Sequence, residues 1–273
     1  MRVNRLLVPA ALLALAFPGR LAAQQSDQAW LDNCRDNDYG SRREVSCEVR
    51  HLAMKRVSGA IEVDPGQNGG VAVEGWERDT IGLTARVQAN GYTQQEANDL
   101  GQQIKVSVSG GTIQVDGPAM HRHGGWSVEI VLYVPRKTDL SIHTENGPIS
   151  VENVSGKMDL STQNGPLSLQ GVAGDVRARA QNGPVDVELK GTSWEGAGLD
   201  AETVNGPVDL AIPKAYSANL ETGTVNGPWD LRMPLTVTLM GHAPRHITTK
   251  LGSGGATVRV VTTNGPVTVE PAE

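Results

Sequence analysis

Large apolar side chains are scarce in this chain. It has 273 residues but one phenylalanine, Phe17, and aromatics make up 4% of it. A thick core between large layers is therefore excluded, and small and β-branched side chains must fill a narrow one. An excess of positive charge is also missing. Lys and Arg number 24 against 30 Asp and Glu, a net charge of −6, which argues against nucleic acid or anionic lipid as a partner. Long apolar runs are absent beyond residues 6–17, and that run is too short to span a bilayer as a stable helix.

The N-terminus has the order of a secretory signal peptide. Arg2 and Arg5 precede the run from Leu6 to Phe17, Pro18-Gly19 reads as a helix breaker, and small residues follow at Ala22 and Ala23. Residues 1–23 are expected to be removed, with Leu21 at the −3 position. That leaves 21 basic against 30 acidic residues, a net −9, and no membrane span. No Cys follows the cut, so no lipid anchor is expected. Cys34 and Cys47 are the two cysteines. In an exported chain they are expected to pair, since their spacing is not C-x-x-C and no His pattern accompanies them.

What the sequence has in abundance is glycine, 32 residues, set among short alternating strands. Residues 24–56 form a segment carrying the two cysteines, with a strand through Val45, Cys47 and Val49. Residues 57–135 read as strands around Ile61/Val63, Val71/Val73, Ile81–Val87 and Val128–Val134. They also hold a hairpin at Gly110-Gly111 and one helix opened by a Thr93–Glu96 capping box, with Ala97, Leu100 and Ile104 on one face.

Residues 136–273 are repetitive. Asn-Gly-Pro recurs at Asn146, Asn164, Asn182, Asn205, Asn226 and Asn264. Each copy is preceded and followed by an apolar-x-apolar strand, for example Met158/Leu160 before Asn164 and Leu167/Leu169 after it. One copy cannot bury its own apolar face; stacked copies can. The expected fold is all-β, a β-solenoid of short two-strand coils. The tripeptide reads as a structural corner. Asn and Gly tolerate positive φ, and Pro re-enters a strand. The Thr two residues before each Asn, replaced once by Ala180, shares parity with the core residues, as does the Asn. Both are therefore expected to point inward, with the Asn amides forming an internal ladder. Inserts around Trp194 and Tyr216 are expected to bulge out as loops. Residues 232–261 break the period and are expected to cap the last rung.

The outward column between the apolar pairs reads Ser150, Ser168, Asp186, Asp209, Asp230, Thr268. Three carboxylates on successive rungs, about 5 Å apart, fit a solvated stripe. They also fit substrate or calcium contact, or the paired carboxylates of a polysaccharide-cleaving enzyme. Trp194, in an inserted loop, is the aromatic expected to be free to contact a ligand, whereas Trp229 occupies a core column. His121 and His123 are two apart, but no third metal ligand is identifiable. The sequence calls for no metal and no cofactor. It contains no G-x-S-x-G, H-E-x-x-H or phosphate-loop motif.

The run GAIEV, then VAVEGWERDTIGLTARV, then VEIVLYVP, then repeated NGP corners resembles the bacterial putative-adhesin domain family over roughly residues 45–270. Gly75-Trp76, Val134-Pro135 and the Asn-Gly corners carry the resemblance. It implies a stacked, right-handed β fold outside the cytoplasmic membrane and brings no catalytic residues with it. The expected function is an exported, non-enzymatic adhesion-type module or envelope scaffold, periplasmic or at the cell surface, meeting an envelope protein or a glycan. The alternatives are a carbohydrate-active enzyme working through the Asp stripe and a periplasmic accessory of an envelope signalling system.

Overall fold

The computed structural model describes residues 18–36, 43–119, 124–233 and 246–272; His121, His123 and His242 lie outside them. The chain opens with helix α1 (Pro18–Asp36) and strand β1 (Glu44–Leu52). Pro18-Gly19, read in the sequence as a helix breaker, lies within α1. The expected cut after Ala23 would shorten α1 and leave its docking side chains in place. Those side chains are Ser26 and Asp27 on Arg86, Trp30 under the same guanidinium, and Cys34, disulfide-bonded to Cys47 of β1. Among the described residues no helix is long and apolar enough to cross a membrane.

The N-terminal half supplies β2 (Ile61–Asp64), β3 (Gly69–Trp76), β4 (Gly82–Gly91), α2 (Gln94–Gln103), β5 (Lys105–Ser109), β6 (Thr112–Asp116) and β7 (Gly125–Pro135). In α2 the Thr93 hydroxyl accepts from the Glu96 amide while the Glu96 carboxylate accepts from the Thr93 amide. Ala97 and Ile104 are buried beneath it.

The repeats then alternate between two sheets. One strand of each rung precedes Asn-Gly-Pro: β8 (Leu140–Asn146), β10 (Ser155–Asn164), β12 (Ala173–Asn182), β14 (Gly198–Asn205) and β16 (Ala218–Asn226). The other follows it: β9 (Ile149–Glu152), β11 (Leu167–Gln170), β13 (Val185–Glu188), β15 (Val208–Ile212) and β17 (Trp229–Leu231). After β18 (His246–Leu251), β19 (Thr257–Asn264) and β20 (Val267–Pro271) make a last rung. The front sheet runs β1-β4-β7-β3-β9-β11-β13-β15-β20-β17 and the back sheet runs β18-β16-β19-β14-β12-β10-β8-β2-β6-β5. The result is a β-solenoid of two facing ten-stranded sheets. Its core is the predicted grid of apolar pairs, as in Leu160, Leu167, Val185, Val208, Val258 and Val267, all 0% exposed.

Spatial order departs from sequence order at the C-terminal end. The rung carrying Asn264 lies between those of Asn205 and Asn226: β19 pairs with both β14 and β16, and β20 with both β15 and β17. The expectation of a simple terminal cap is met only by β18, which pairs antiparallel with the outer side of β16. The remainder of the C-terminal segment is intercalated.

The corners also differ from expectation in detail. The Thr column is inward: Thr144, Thr162, Thr203, Thr224 and Thr262 are all buried. Thr162, Thr203, Thr262 and Thr224 donate to the corner carbonyls of Gly147, Gly183, Gly206 and Gly265 on the neighbouring rung, at 2.8 to 3.1 Å. The Asn side chains form a ladder, but an external one. Asn164, Asn182, Asn205, Asn226 and Asn264 are exposed, because strand geometry ends at the corner and parity no longer sets direction. Each Nδ2 donates to the Oδ1 of the next Asn in the spatial order 226, 264, 205, 182, 164, 146, at 2.8 to 2.9 Å. Asn146 ends the series on the Gln67 carbonyl.

Positive φ is not what the corner requires. Among the described residues Asn153 is the only non-glycine with positive φ. The glycine is needed for close approach: a Cβ on Gly206 would sit 2.0 Å from the Gly183 carbonyl, and one on Gly265 2.0 Å from that of Gly206.

Candidate binding face

Along the outside of the front sheet, strand alternation sets two columns of side chains. Register places Ala72, Ser150, Ser168, Asp186, Asp209, Thr268 and Asp230 in one. The other holds Glu74, Glu152, Gln170, Glu188, Ala211 and Glu270. Asp186 and Asp209 are therefore neighbours, at a rung spacing of about 4.8 Å. Asp230 is not the third in line, because intercalation puts Thr268 between it and Asp209. Asp230 instead accepts from Arg232 Nε at 2.8 Å, and Arg232 also reaches Glu270 at 2.9 Å.

Asp186 and Asp209 border a shallow groove of about 240 Å³ with Ser168, Gln170, Glu188 and Glu270. None of the residues lining it is cationic. Burial, and then the Asp209 carboxylate, hold Asp186 above the ordinary carboxylate range. Gln170 donates to Glu188 across the rung. Glu188, Gln170 and Glu270 carry no motif that singles them out in the sequence. The same alternation, read two residues further along each strand, identifies them.

The back sheet contrasts with this. Its outward column alternates in sign: Asp159, Arg177, Asp200, Arg259, Glu221. Arg259 bonds Asp200 at 2.5 Å and Glu202 at 3.1 Å and pairs with Glu221 at 3.3 Å, while Arg179 bonds Glu202 at 2.9 Å. The back face neutralises itself. The front face carries uncompensated carboxylates around Asp186 and Asp209.

Trp194 is not available as a contact residue. It is 7% exposed, and its Nε1 donates to the Gly174 carbonyl at 3.0 Å. Tyr216, from the second insert, is 4% exposed; burial and then Glu195 push its phenol up to about 12. The inserts are loops with exposed residues at 190–193, 195–197 and 214–215, but each turns one large aromatic inward, to a core short of them. Trp229, placed in a core column by the sequence, is only partly buried, on the edge strand β17. Of the remaining histidines, His51 pairs with Asp27, His143 contacts Ser161 and His246 pairs with Glu221. Among the described residues no group of three or more His, Cys, Asp or Glu is arranged to hold a metal ion.

The stacked rungs, glycine corners and paired sheets agree with a family model described as Toastrack DUF4097, which matches residues 51–270. The chain belongs to the Toastrack DUF4097 family. The span coincides with the stretch that carries the resemblance in the sequence. No curated protein matches this Toastrack chain. Solved structures similar to it include a "putative cell adhesion protein" from Clostridium sporogenes, 13% identical, covering 84% of this chain and 100% of that one, TM-score 0.37. A "putative adhesin" from Bacteroides fragilis is 11% identical, with coverages of 83% and 97% and a TM-score of 0.31. Another from Parabacteroides merdae is 13% identical, with coverages of 84% and 96% and a TM-score of 0.33. Outside the Toastrack match lie α1 and the first part of β1; the disulfide ties α1 to β1, which joins the front sheet by pairing with β4.

Proposed function

We propose that this protein is an exported, non-enzymatic adhesion-type binding module of the cell envelope, periplasmic or at the surface, whose acidic front face meets a glycan or an envelope protein. The observation that carries this reading is the contrast between the faces. The back-sheet charges are spent on one another, and the front-sheet carboxylates at Asp186 and Asp209 have no cationic partner in their groove. Hydroxyls and amides beside them, Ser168 and Gln170, suit a ligand rich in hydrogen-bond donors. The test is a glycan array and a pull-down from envelope extract with the chain lacking residues 1–23, repeated with Asp186→Ala and Asp209→Ala. A binder retained by the parent and lost in both variants supports the reading. A binder unaffected by either moves the function off this face.

The second reading, a glycoside-cleaving site, is favoured by one observation: two carboxylates at a spacing near that of retaining enzymes, with Asp186 biased toward its protonated form. Against it, the groove is smaller than the roughly 300–1,000 Å³ of typical ligand pockets. It also offers no cation to stabilise a developing anion. Release of reducing ends from envelope polysaccharide, abolished in Asp186→Asn, would establish it.

A further inference from the structure

Among the Asn-Gly-Pro rungs the last is the one placed out of order, and its surroundings say what can occupy its position. β14 and β16 both pair in register with β19: Leu199 and Leu220 both face Val258, Thr203 and Thr224 both face Thr262, and Asn205 and Asn226 both face Asn264. On the front sheet Val208 and Trp229 both face Val267. The slot therefore accepts only a coil with the repeat's own pattern. It needs apolar residues at 258, 260, 267 and 269, Thr at 262, Asn at 264, and a glycine at 265, where a Cβ would meet the Gly206 carbonyl at 2.0 Å.

The segment that fills it behaves as a module. β18 and β19 grip β16 from its two sides, and among the described residues β20 is the one strand paired with β17. Between them, residues 252–256 cross the start of β16, held by Asn219, whose amide nitrogen donates to the Gly255 carbonyl at 2.6 Å and whose backbone N–H donates to that of Ala256. Residues 232–245 connect β17 to β18, which do not pair with each other; β17 pairs with β20 instead. That connection can extend to roughly 45 Å at about 3.3 Å per residue.

We propose that the C-terminal module, His246–Pro271, is exchangeable between copies of this chain, so that the module of one molecule fills the slot of another and joins them. Every contact the module makes in its own chain is available unchanged in a second copy. The balance then rests on the connection and on concentration, as in other swapped elements. The occupant is a second copy because the module carries the pattern the slot demands. The open slot is also well behaved. Its two walls are in register with each other and can pair directly until a module enters. The inference is independent of what the front face binds.

The test uses single-cysteine variants of the full chain at outward positions on neighbouring strands: Asp209→Cys, Asp230→Cys and Thr268→Cys. Variants are mixed in pairs, unfolded and refolded together with the Cys34–Cys47 disulfide intact, and treated with a short bismaleimide. Thr268→Cys mixed with Asp209→Cys, and separately with Asp230→Cys, is expected to give a covalent heterodimer at twice the chain's mass, increasing with protein concentration during refolding. The double variants Asp209→Cys/Thr268→Cys and Asp230→Cys/Thr268→Cys, which cross-link within one chain, establish that both pairs are competent. Monomers alone in the mixtures, with competent double variants, overturn the proposal. So does the same dimer formed by any single variant on its own, since that reports face-to-face contact. A heterodimer with Asp209→Cys but not with Asp230→Cys would mean that β16 and β17 travel with the module, and would overturn the boundary at residue 246.

Discussion

Asn264 donates to Asn205 at 2.9 Å across 59 residues of sequence. This bond inserts the last Asn-Gly-Pro between the fourth and the fifth, and Asn205 becomes the residue that joins the sequential rungs to the intercalated one. Its amide also donates to Asn182.

Asn205→Ala removes both bonds. A net hydrogen bond contributes about 1 kcal/mol, and the ladder is exposed, so a loss of about 1–2 kcal/mol is expected. Asp209→Ala removes a like charge beside Asp186 and should cost less or stabilise. Thermal unfolding of the two variants gives the order, and Asp209→Ala unfolding at the lower temperature would refute the structural role of the ladder.

The corner glycines should be less forgiving than the asparagines. Gly206→Ala drives a Cβ into a backbone carbonyl 2.0 Å away, which no rotamer change can relieve. It is expected to cost more than Asn205→Ala, about 3 kcal/mol or more. Gly59→Ala, with nothing within 4 Å of the added carbon, should be close to neutral. Equal unfolding temperatures for the two glycine variants would contradict the stacked-corner geometry.

Asp186 gives the protein a pH dependence of definite sign. Its proton is held more tightly in the folded chain than in the unfolded one, first through burial and then through Asp209. The group therefore favours the fold below its unfolded pKa of about 3.9, and that contribution fades as pH rises through the higher folded value. Asp186→Asn should raise the unfolding temperature near pH 7 and lose that advantage near about pH 3. Asp209→Asn should bring the Asp186 titration, followed by carboxyl carbon chemical shift, part of the way back toward the ordinary range. Burial would keep the rest of the shift.

Trp194→Ala tests the buried position of that residue. A buried aromatic removed from a core usually costs about 3–5 kcal/mol, or roughly ten degrees of unfolding temperature in a chain of this size. Binding measured below the new transition should be unchanged. A variant as stable as the parent but defective in binding would return Trp194 to the surface.

The grid of apolar pairs was readable because its period is short and each copy repeats it. The Thr column followed from the same parity. Asn direction did not, because parity applies only while the strand continues. The burial of Trp194 and Tyr216 was hidden for another reason. An insert in a repeat looks like a loop until the space it can fill is known. The neighbourhood of Asp186 and Asp209 was legible from successive rungs, whereas Asp230 was misplaced by the assumption that rungs stack in chain order. Nothing local in Thr257–Pro271 marks it as intercalated, since it carries the pattern of every other rung and would fit at the end as well as between two others.

That placement also constrains how such a chain can change length. A tandem copy of the 18 residues ending at Asn182 adds one rung between neighbours already in register and extends the ladder by one amide. A copy of the rung at Asn226 has no equivalent place, because its back strand is enclosed by the two strands that follow it. Growth by duplication is open between Asn146 and Asn205 and closed beyond, so relatives that differ in rung number should differ upstream of Asn205 and share the same terminal three.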